Sequence, residues 1–258
     1  MFLGDVMGSP GRKAVKALLP RLKERHQVDI TLLNVENSAG GFGVTPDVLR
    51  ELEACGVNGF TSGNHIWDKK EIIDLMDGLP NLVRPLNYPP GNPGRGTMIL
   101  ETAGGMKLGV INLMGRAFMP PLDCPFRAAA QAVQEMTQRT PCILVDFHGE
   151  GTSEKNAMGW YLNGKVSAVI GTHTHVQTAD ERVLSGGTAY ITDAGLTGSI
   201  DSIIGMEIEG AMERFLSGRP VRYEPAGANL RVQGVVVSMD DKTGTALSIL
   251  RISEPMKE

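Results

Sequence analysis

The chain alternates between two hydrophobic rhythms. Short apolar runs rich in β-branched residues read as strands: "DITLLNVEN" (29–37), "NGFTSGNH" (58–65), "PCILVDFHG" (141–149) and "VSAVIGTHTH" (166–175). Amphipathic stretches lie between them. Ser9-Pro10 caps and opens a helix through "KAVKALLPRLKERH", with Pro20 as a candidate kink. Thr45-Pro46 opens a second, "DVLRELEACG", which Gly56 stops. A third covers "PFRAAAQAVQEMTQR". Such alternation predicts an α/β architecture.

Three segments break the rhythm. "TMILETAGGMKLGVINLMG", "ERVLSGGTAYITDAG" and "LRVQGVVVSMDDKTGTALSILRIS" each pair two apolar runs around Gly- or Asp-rich turns, the signature of a hairpin. A purely parallel sheet has no use for them. The expectation is two mixed sheets packed together with helices outside. "NYPPGNPGRG" (87–96) reads as a surface loop rather than a boundary, so one domain is expected over 1–258.

Composition narrows the class. A hydrophobic fraction of 41% and a charged fraction of 21% fit an ordinary globular protein. No apolar run reaches the length of a membrane span, and "MFLGDVMGSPGR" lacks the basic n-region of a secretory signal. Cys55, Cys124 and Cys142 share no metal-like spacing and leave an odd count, so a reducing cytoplasm is expected. The net charge of −4 argues against a general binder of long nucleic acid, but leaves room for a small phosphate ester held by local positive charge.

Chemistry gathers at the strand ends. The first strand, "MFL", runs into Asp5; the next ends in Glu36-Asn37, the third in Asn64-His65, the 142–147 strand in His148 and the 168–170 strand in His173 and His175. In open α/β sheets, sites form beyond the carboxyl ends of strands. Each residue has a plain alternative. Asp5 fits a helix N-cap; Glu36-Asn37 and Asn64-His65 fit polar turns; a lone His148 fits a structural imidazole. His26, near a helix end, is explained by the helix dipole. Arg116 and Lys155 read as solvated charges. Taken jointly, imidazole, carboxylate and carboxamide donors suit Mn, Fe or Zn rather than a thiolate site. Asp5, Glu36, Asn37, Asn64, His148, His173 and His175 are too many for one ion and suit two, bridged by a carboxylate.

In that order, "GD", "NVEN", "GNH", a later His and "GTHTH" resemble the calcineurin-like metallophosphoesterases, whose usual pattern is D-x-H, G-D-x-x, G-N-H-[DE], H and G-H-x-H. More closely, "GDVMGSPGR", "NVENSAGGFG", "SGNHIWD", "VRPLNY", "DFHGEGTSEK", "GTHTHVQTAD" and "DSIIGMEIEG" are similar to its YmdB-like branch over essentially the whole chain. The resemblance implies a four-layer α/β/β/α sandwich. It implies one ion, Fe or Mn, held by Asp5, Glu36, Asn37 and His175, and a second held by Glu36, Asn64, His148 and His173. Met7 stands where the wider superfamily has a histidine ligand, and Asn37 takes over as donor. The implied activity is hydrolysis of small phosphodiesters, including 2′,3′-cyclic nucleotides, by a hydroxide generated between the ions, with His65 as general acid rather than ligand. Three other readings stay open: a weakly active metal-dependent signalling protein, a dimetal oxidase, and a ribonuclease on longer RNA. A homo-oligomer is compatible with all of them.

Overall fold

The computed structural model describes residues 1–257. The first part of the chain forms β1 (Phe2–Leu3), β2 (Asp5–Val6), α1 (Gly8–His26), β3 (Leu32–Asn34), α2 (Pro46–Ala54), β4 (Gly59–Thr61) and α3 (Lys70–Leu75). The middle forms β5 (Thr97–Glu101), β6 (Lys107–Met114), α4 (Pro125–Thr137), β7 (Ile143–His148), α5 (Thr152–Tyr161) and β8 (Ala168–Thr172). The rest forms β9 (Arg182–Val183), β10 (Ala189–Ile191), β11 (Leu196–Ser199), α6 (Ile208–Ser217), β12 (Leu230–Met239) and β13 (Ala246–Pro255).

The expected strands and helices are present, with local corrections. Thr45 caps α2, its side chain accepting from the Val48 N–H, and Gly56 follows the helix at φ 91°. The start of α1 differs. Its N-cap is Met7, which offers no side-chain cap, so Ser9 is not the cap. The Gly8 N–H donates instead to the Asn37 carbonyl at 2.9 Å, which ties the helix start to the loop after β3. As expected, the helix runs through Pro20 to His26. Asp5 lies in β2 and caps nothing.

All three expected hairpins form. β5 pairs antiparallel with β6, β9 with β10, and β12 with β13, the last with a register shift at Ser238/Met239. One sheet is seven-stranded: β2, β11, β12, β1, β3 and β4 in order, with β13 on β12. The other is six-stranded, in the order β5-β6-β7-β8-β10-β9, parallel from β6 through β10 and closed by antiparallel edges.

Three apolar clusters show how these sheets are layered. In the first, Leu19 and Leu22 of α1 and Leu49 and Leu52 of α2 meet Leu33 and Val232 of the larger sheet. In the second, Phe2, Leu32 and Val235 of that sheet meet Val110, Leu144 and Ile170 of the other. In the third, Val145 and Val169 meet Ala129, Val133 and Met136 of α4 and Met158 of α5. Helices, sheet, sheet, helices: the arrangement is the four-layer α/β/β/α sandwich. Each buried Leu or Val contributes about 1.5–3 kcal/mol, so the three interfaces dominate stability.

Strand alternation then positions the chemistry. Successive side chains on a strand face opposite ways. On β7, Val145 and Phe147 face the helices, while Leu144, and with it Asp146 and His148, face the other sheet. On β8 the same face carries Ala168, Ile170 and Thr172; on β3 it carries Leu32 and Asn34. The layer between the sheets is therefore apolar along most of its length and turns polar at the carboxyl ends of these parallel strands.

Candidate metal centre

Both sheets contribute to one polar cluster at that end. Asp5 comes from β2, Glu36 and Asn37 follow β3, Asn64 follows β4, His148 closes β7, and His173 and His175 follow β8. The contacts form an unbroken chain. Asp5 Oδ1 lies 3.7 Å from His175 Nε2. Asn37 Nδ2 is 3.2 Å from His175 Nε2 and 3.2 Å from Glu36 Oε1. Glu36 Oε1 is 3.2 Å from His148 Nε2, which stands 3.1 Å from Asn64 Oδ1 and 3.0 Å from His173 Nδ1. All seven side chains expected as ligands are thus brought together. All but Asn64 and His173 are buried.

The imidazole tautomers follow from the far side of each ring. Thr172 Oγ1 donates to Asp146 Oδ1 at 2.7 Å, so it accepts from His148 Nδ1 at 2.9 Å. Asn34 Nδ2, 3.4 Å from Nδ1 and already bonded to Asp146 Oδ2 at 3.2 Å, is the weaker partner. His175 Nδ1 lies 2.8 Å from the Ile204 carbonyl, which only accepts. His173 Nε2 lies 3.2 Å from Glu150 Oε2. Each ring therefore spends its N–H outward and turns a lone pair inward, as metal-ligating histidines do.

That arrangement tests whether a metal fits. The lone pairs of His148 Nε2 and His173 Nδ1 face each other at 3.0 Å, beside Glu36 and Asn64 oxygens that can only accept. Such a group is unfavourable unless a positive charge sits among it. Ligands about 2.1 Å from one ion stand about 3.0 Å apart along an octahedral edge, which matches these spacings. Glu36, His148 and His173 offer donor atoms all within 4.8 Å of one another. Asp5 Oδ1 is buried without any hydrogen-bond partner, as expected of a ligand oxygen. Turning the Asn37 amide over would place Oδ1 between Glu36 and His175. The residues fit.

The electrostatics agree. Burial opposes charge on His148, but the neighbouring Glu36, Asp5 and Asp146 carboxylates push its pKa up to about 9. Burial works to raise the Glu36 pKa, yet His148 and His65 bring it down to about 2. His173 is pushed down to about 3 by burial and by the charge on His148. With no ion bound, that charge is a proton on His148 Nε2, at the point between Glu36 and His173 that a metal would take in its place.

The "GTHTH" loop is held by an ion pair that the sequence conceals. His173 and His175 both adopt positive φ, 100° and 64°, a conformation non-glycine residues rarely take. Asp193 Oδ2 holds the loop by accepting from the Thr174 N–H at 3.0 Å and its hydroxyl at 2.8 Å. The same oxygen meets Lys155 Nζ at 2.7 Å, with both side chains essentially fully buried. Lys155 is therefore not the solvated charge its sequence context implies, whereas Arg116 is exposed. Breaking a buried pair strands the remaining charge and costs about 3–5 kcal/mol. Lys155→Met is expected to lose about that much in urea unfolding; a loss below about 1 kcal/mol would show that the pair does not hold the loop.

Gly63 has a local reason. A Cβ there would overlap the His148 ring and the Glu36 carboxylate, so only glycine lets β4 reach the cluster. His65 touches the cluster through its backbone alone, its N–H donating to Glu36 Oε2 at 3.0 Å. Its side chain turns away: Nδ1 lies 2.7 Å from Asp68 Oδ2, and the ring packs edge-on against Phe42 at 5.0 Å. Among the described residues Nε2 has no hydrogen-bond partner, and His65 lines the cleft beside the cluster. Met7 is buried against Leu196 and Met206 and lines the same cleft. Asp146, Thr172, Glu150, Asp68 and the Ile204 carbonyl escaped the sequence reading. Asp146 alone had a legible signal, since it shares a strand face with His148 at i+2.

Residues 1–252 match the YmdB-like protein family. The chain belongs to this family. It is 51% identical over 252 residues to the 2′,3′-cyclic-nucleotide 2′-phosphodiesterase of Bacillus subtilis (strain 168), covering 98% of this chain and 95% of that protein. It is 36% identical to a putative phosphatase/phosphodiesterase of Mycoplasma pneumoniae, covering 94% and 88%. Among solved structures, a hypothetical protein from Thermus thermophilus superposes with a TM-score of 0.90 at 43% identity, covering 98% of both chains. A novel phosphatase from Mycoplasma pneumoniae superposes with a TM-score of 0.90 at 34% identity, covering 98% and 92%. The family's fold therefore extends across almost the entire chain.

Proposed function

We propose that this protein, one domain over 1–258, is a metal-dependent phosphodiesterase that hydrolyses small phosphodiesters, with 2′,3′-cyclic nucleotides as substrates. The observation that carries the proposal is the set of inward lone pairs and carboxylates spaced about 3 Å apart, with His65 beside them. The names of the family relatives support the same reaction. Asp5, Glu36, Asn37 and His175 would hold one ion, and Glu36, Asn64, His148 and His173 the other. An all-nitrogen and oxygen donor set suits Fe or Mn, and nothing in it calls for sulfur from Met7.

When bound, the ion pair supplies Lewis acidity toward the phosphate oxygens and toward the attacking water. The chain supplies the rest. Burial of Asp5, Glu36 and His148 keeps competing water off the donors. Asp68 holds the His65 ring with Nδ1–H directed at it, so Nε2–H faces the cleft and donates a proton to the leaving ester oxygen.

Three free cysteines suit a reducing compartment, and among the described residues no helix is long and apolar enough to cross a membrane; we place the protein in the cytoplasm. With a net charge of −4, long nucleic acid is a poor partner. The test is to purify the protein without chelators, measure its metals, and assay phosphomonoesters, linear diesters, cyclic nucleotides and long RNA. The expected result is two ions per chain, turnover fastest on cyclic nucleotides, and loss on chelation that Mn or Fe restores. Phosphate binding without turnover, or tight binding and cleavage of long RNA at physiological salt, would overturn the proposal.

A further inference from the structure

The metal cluster opens into a cavity of about 170 Å³ whose other wall is apolar. Phe42, Ile203, Ile204, Met206, Phe215 and Tyr223 make that wall. Phe42 links the two halves. Its ring lies 5.0 Å from that of His65 and 6.5 Å from that of Tyr223. Phosphate chemistry alone has no use for such a wall. Phe215 and Ile204 remain 75% and 55% exposed, and the Arg214 guanidinium lies over one face of the Tyr223 ring at 5.3 Å. An apolar, partly aromatic wall that stays exposed beside a phosphate site is incomplete without a flat apolar group attached to that phosphate.

The wall is also tied to the ligands. The Ile204 carbonyl that orients His175 belongs to the same tight turn, Ile203–Met206, that presents the Ile204 and Met206 side chains to the cavity. The distance from ion to wall is therefore set by one short segment. Among the wall residues only the Tyr223 hydroxyl is polar; none carries a carboxamide or carboxylate that could pair with a base edge in two places.

We propose that this wall is the nucleobase subsite: the base of a cyclic nucleotide packs on Tyr223 and Phe215 while its phosphate lies at the metal cluster. The inference rests on the phosphodiesterase reading above and adds a specificity to it. Recognition is by stacking, so every base is accepted, and purines are favoured over pyrimidines by less than about tenfold. The base contributes mainly to substrate capture.

The test compares 2′,3′-cyclic AMP, 2′,3′-cyclic CMP and a base-free cyclic phosphate, glycerol 1,2-cyclic phosphate, on the metal-loaded protein. The variants are Phe215→Ala, whose side chain is too exposed to be needed for folding, and Tyr223→Leu. The wild type is expected to prefer both nucleotides over the base-free ester by tenfold or more in kcat/KM. Each variant is expected to raise KM for the nucleotides, with a loss in kcat/KM about tenfold larger for nucleotides than for the base-free ester, a size typical of a lost stacking partner. Equal losses on all three esters, or a wild type indifferent to the base, would overturn the subsite and leave the phosphodiesterase reading intact. Failure of the wild type to hydrolyse any of the three would overturn both.

Discussion

Glu36→Ala is expected to remove metal from both positions and to lower turnover by about 10³-fold or more. The reason lies in its contacts. Oε1 stands 3.2 Å from Asn37 Nδ2 on one side and 3.2 Å from His148 Nε2 on the other. Oε2 accepts the His65 N–H at 3.0 Å. One carboxylate thus spans the His175 half of the cluster, the His148 half and the start of the loop that carries His65. Without it, Asp5 is the sole carboxylate among the seven proposed ligands. Electrostatic stabilisation by bound ions is worth several kcal/mol, and each 1.36 kcal/mol is a factor of ten in rate, so loss of both ions sets the expected size. Glu36→Asp, shorter by one methylene, is expected to fall between. Elemental analysis and steady-state rates on the same preparations decide the matter. A single ion bound as tightly in the Ala variant as in the wild type would end the case for a shared ligand.

Much of this was legible because the site sits at strand ends. Asp5, Glu36, Asn37, Asn64, His148, His173 and His175 each follow or close an apolar run, and parallel strands deliver their ends to one edge. The hairpins announced themselves through Gly104-Gly105, Gly186-Gly187 and the 240–244 turn, and with them the mixed sheets. Other features depend on distant partners. Lys155 is buried only because Asp193, 38 positions away in sequence, meets it. The three local helices that the pattern did not single out have weak signals of their own. α3 is a single short element of six residues. α5 carries Gly159 where the Tyr190 ring leaves no room for a Cβ. α6 leaves Ile208, Met212 and Phe215 exposed, so its apolar stripe does not announce a core-packed helix; of the three, Phe215 lines the cavity. The base wall draws on the loop after β3, the turn before α6, α6 itself and the segment after it, a combination that no single stretch of sequence displays.

His65→Asn is expected to leave metal bound and to slow the reaction by an amount that depends on the leaving group. His65 reaches the cluster only through its backbone N–H, and an asparagine keeps that donor. Its ring is held away from the ligands by Asp68 at 2.7 Å and by the edge of Phe42. Nothing in the side chain's position makes it necessary for binding an ion. In the proposed acid role the ring would carry a proton on each nitrogen, Nδ1–H bonded to Asp68 and Nε2–H left for the substrate. A ribose oxygen is a poor leaving group that departs as a strong base, so the lost proton is expected to cost on the order of 10²-fold or more in kcat. A nitrophenolate departs readily without a proton, and the same variant is expected to retain most of its rate on a nitrophenyl ester. Asp68→Asn is expected to show the same dependence at smaller size, since it misplaces the acid without deleting it. The measurement is kcat for both ester classes alongside metal content. Equal losses on the two esters would remove the acid role. Loss of metal together with activity would make His65 part of the ligand set, and the assignment of donors around Glu36 and Asn64 would then have to be redrawn.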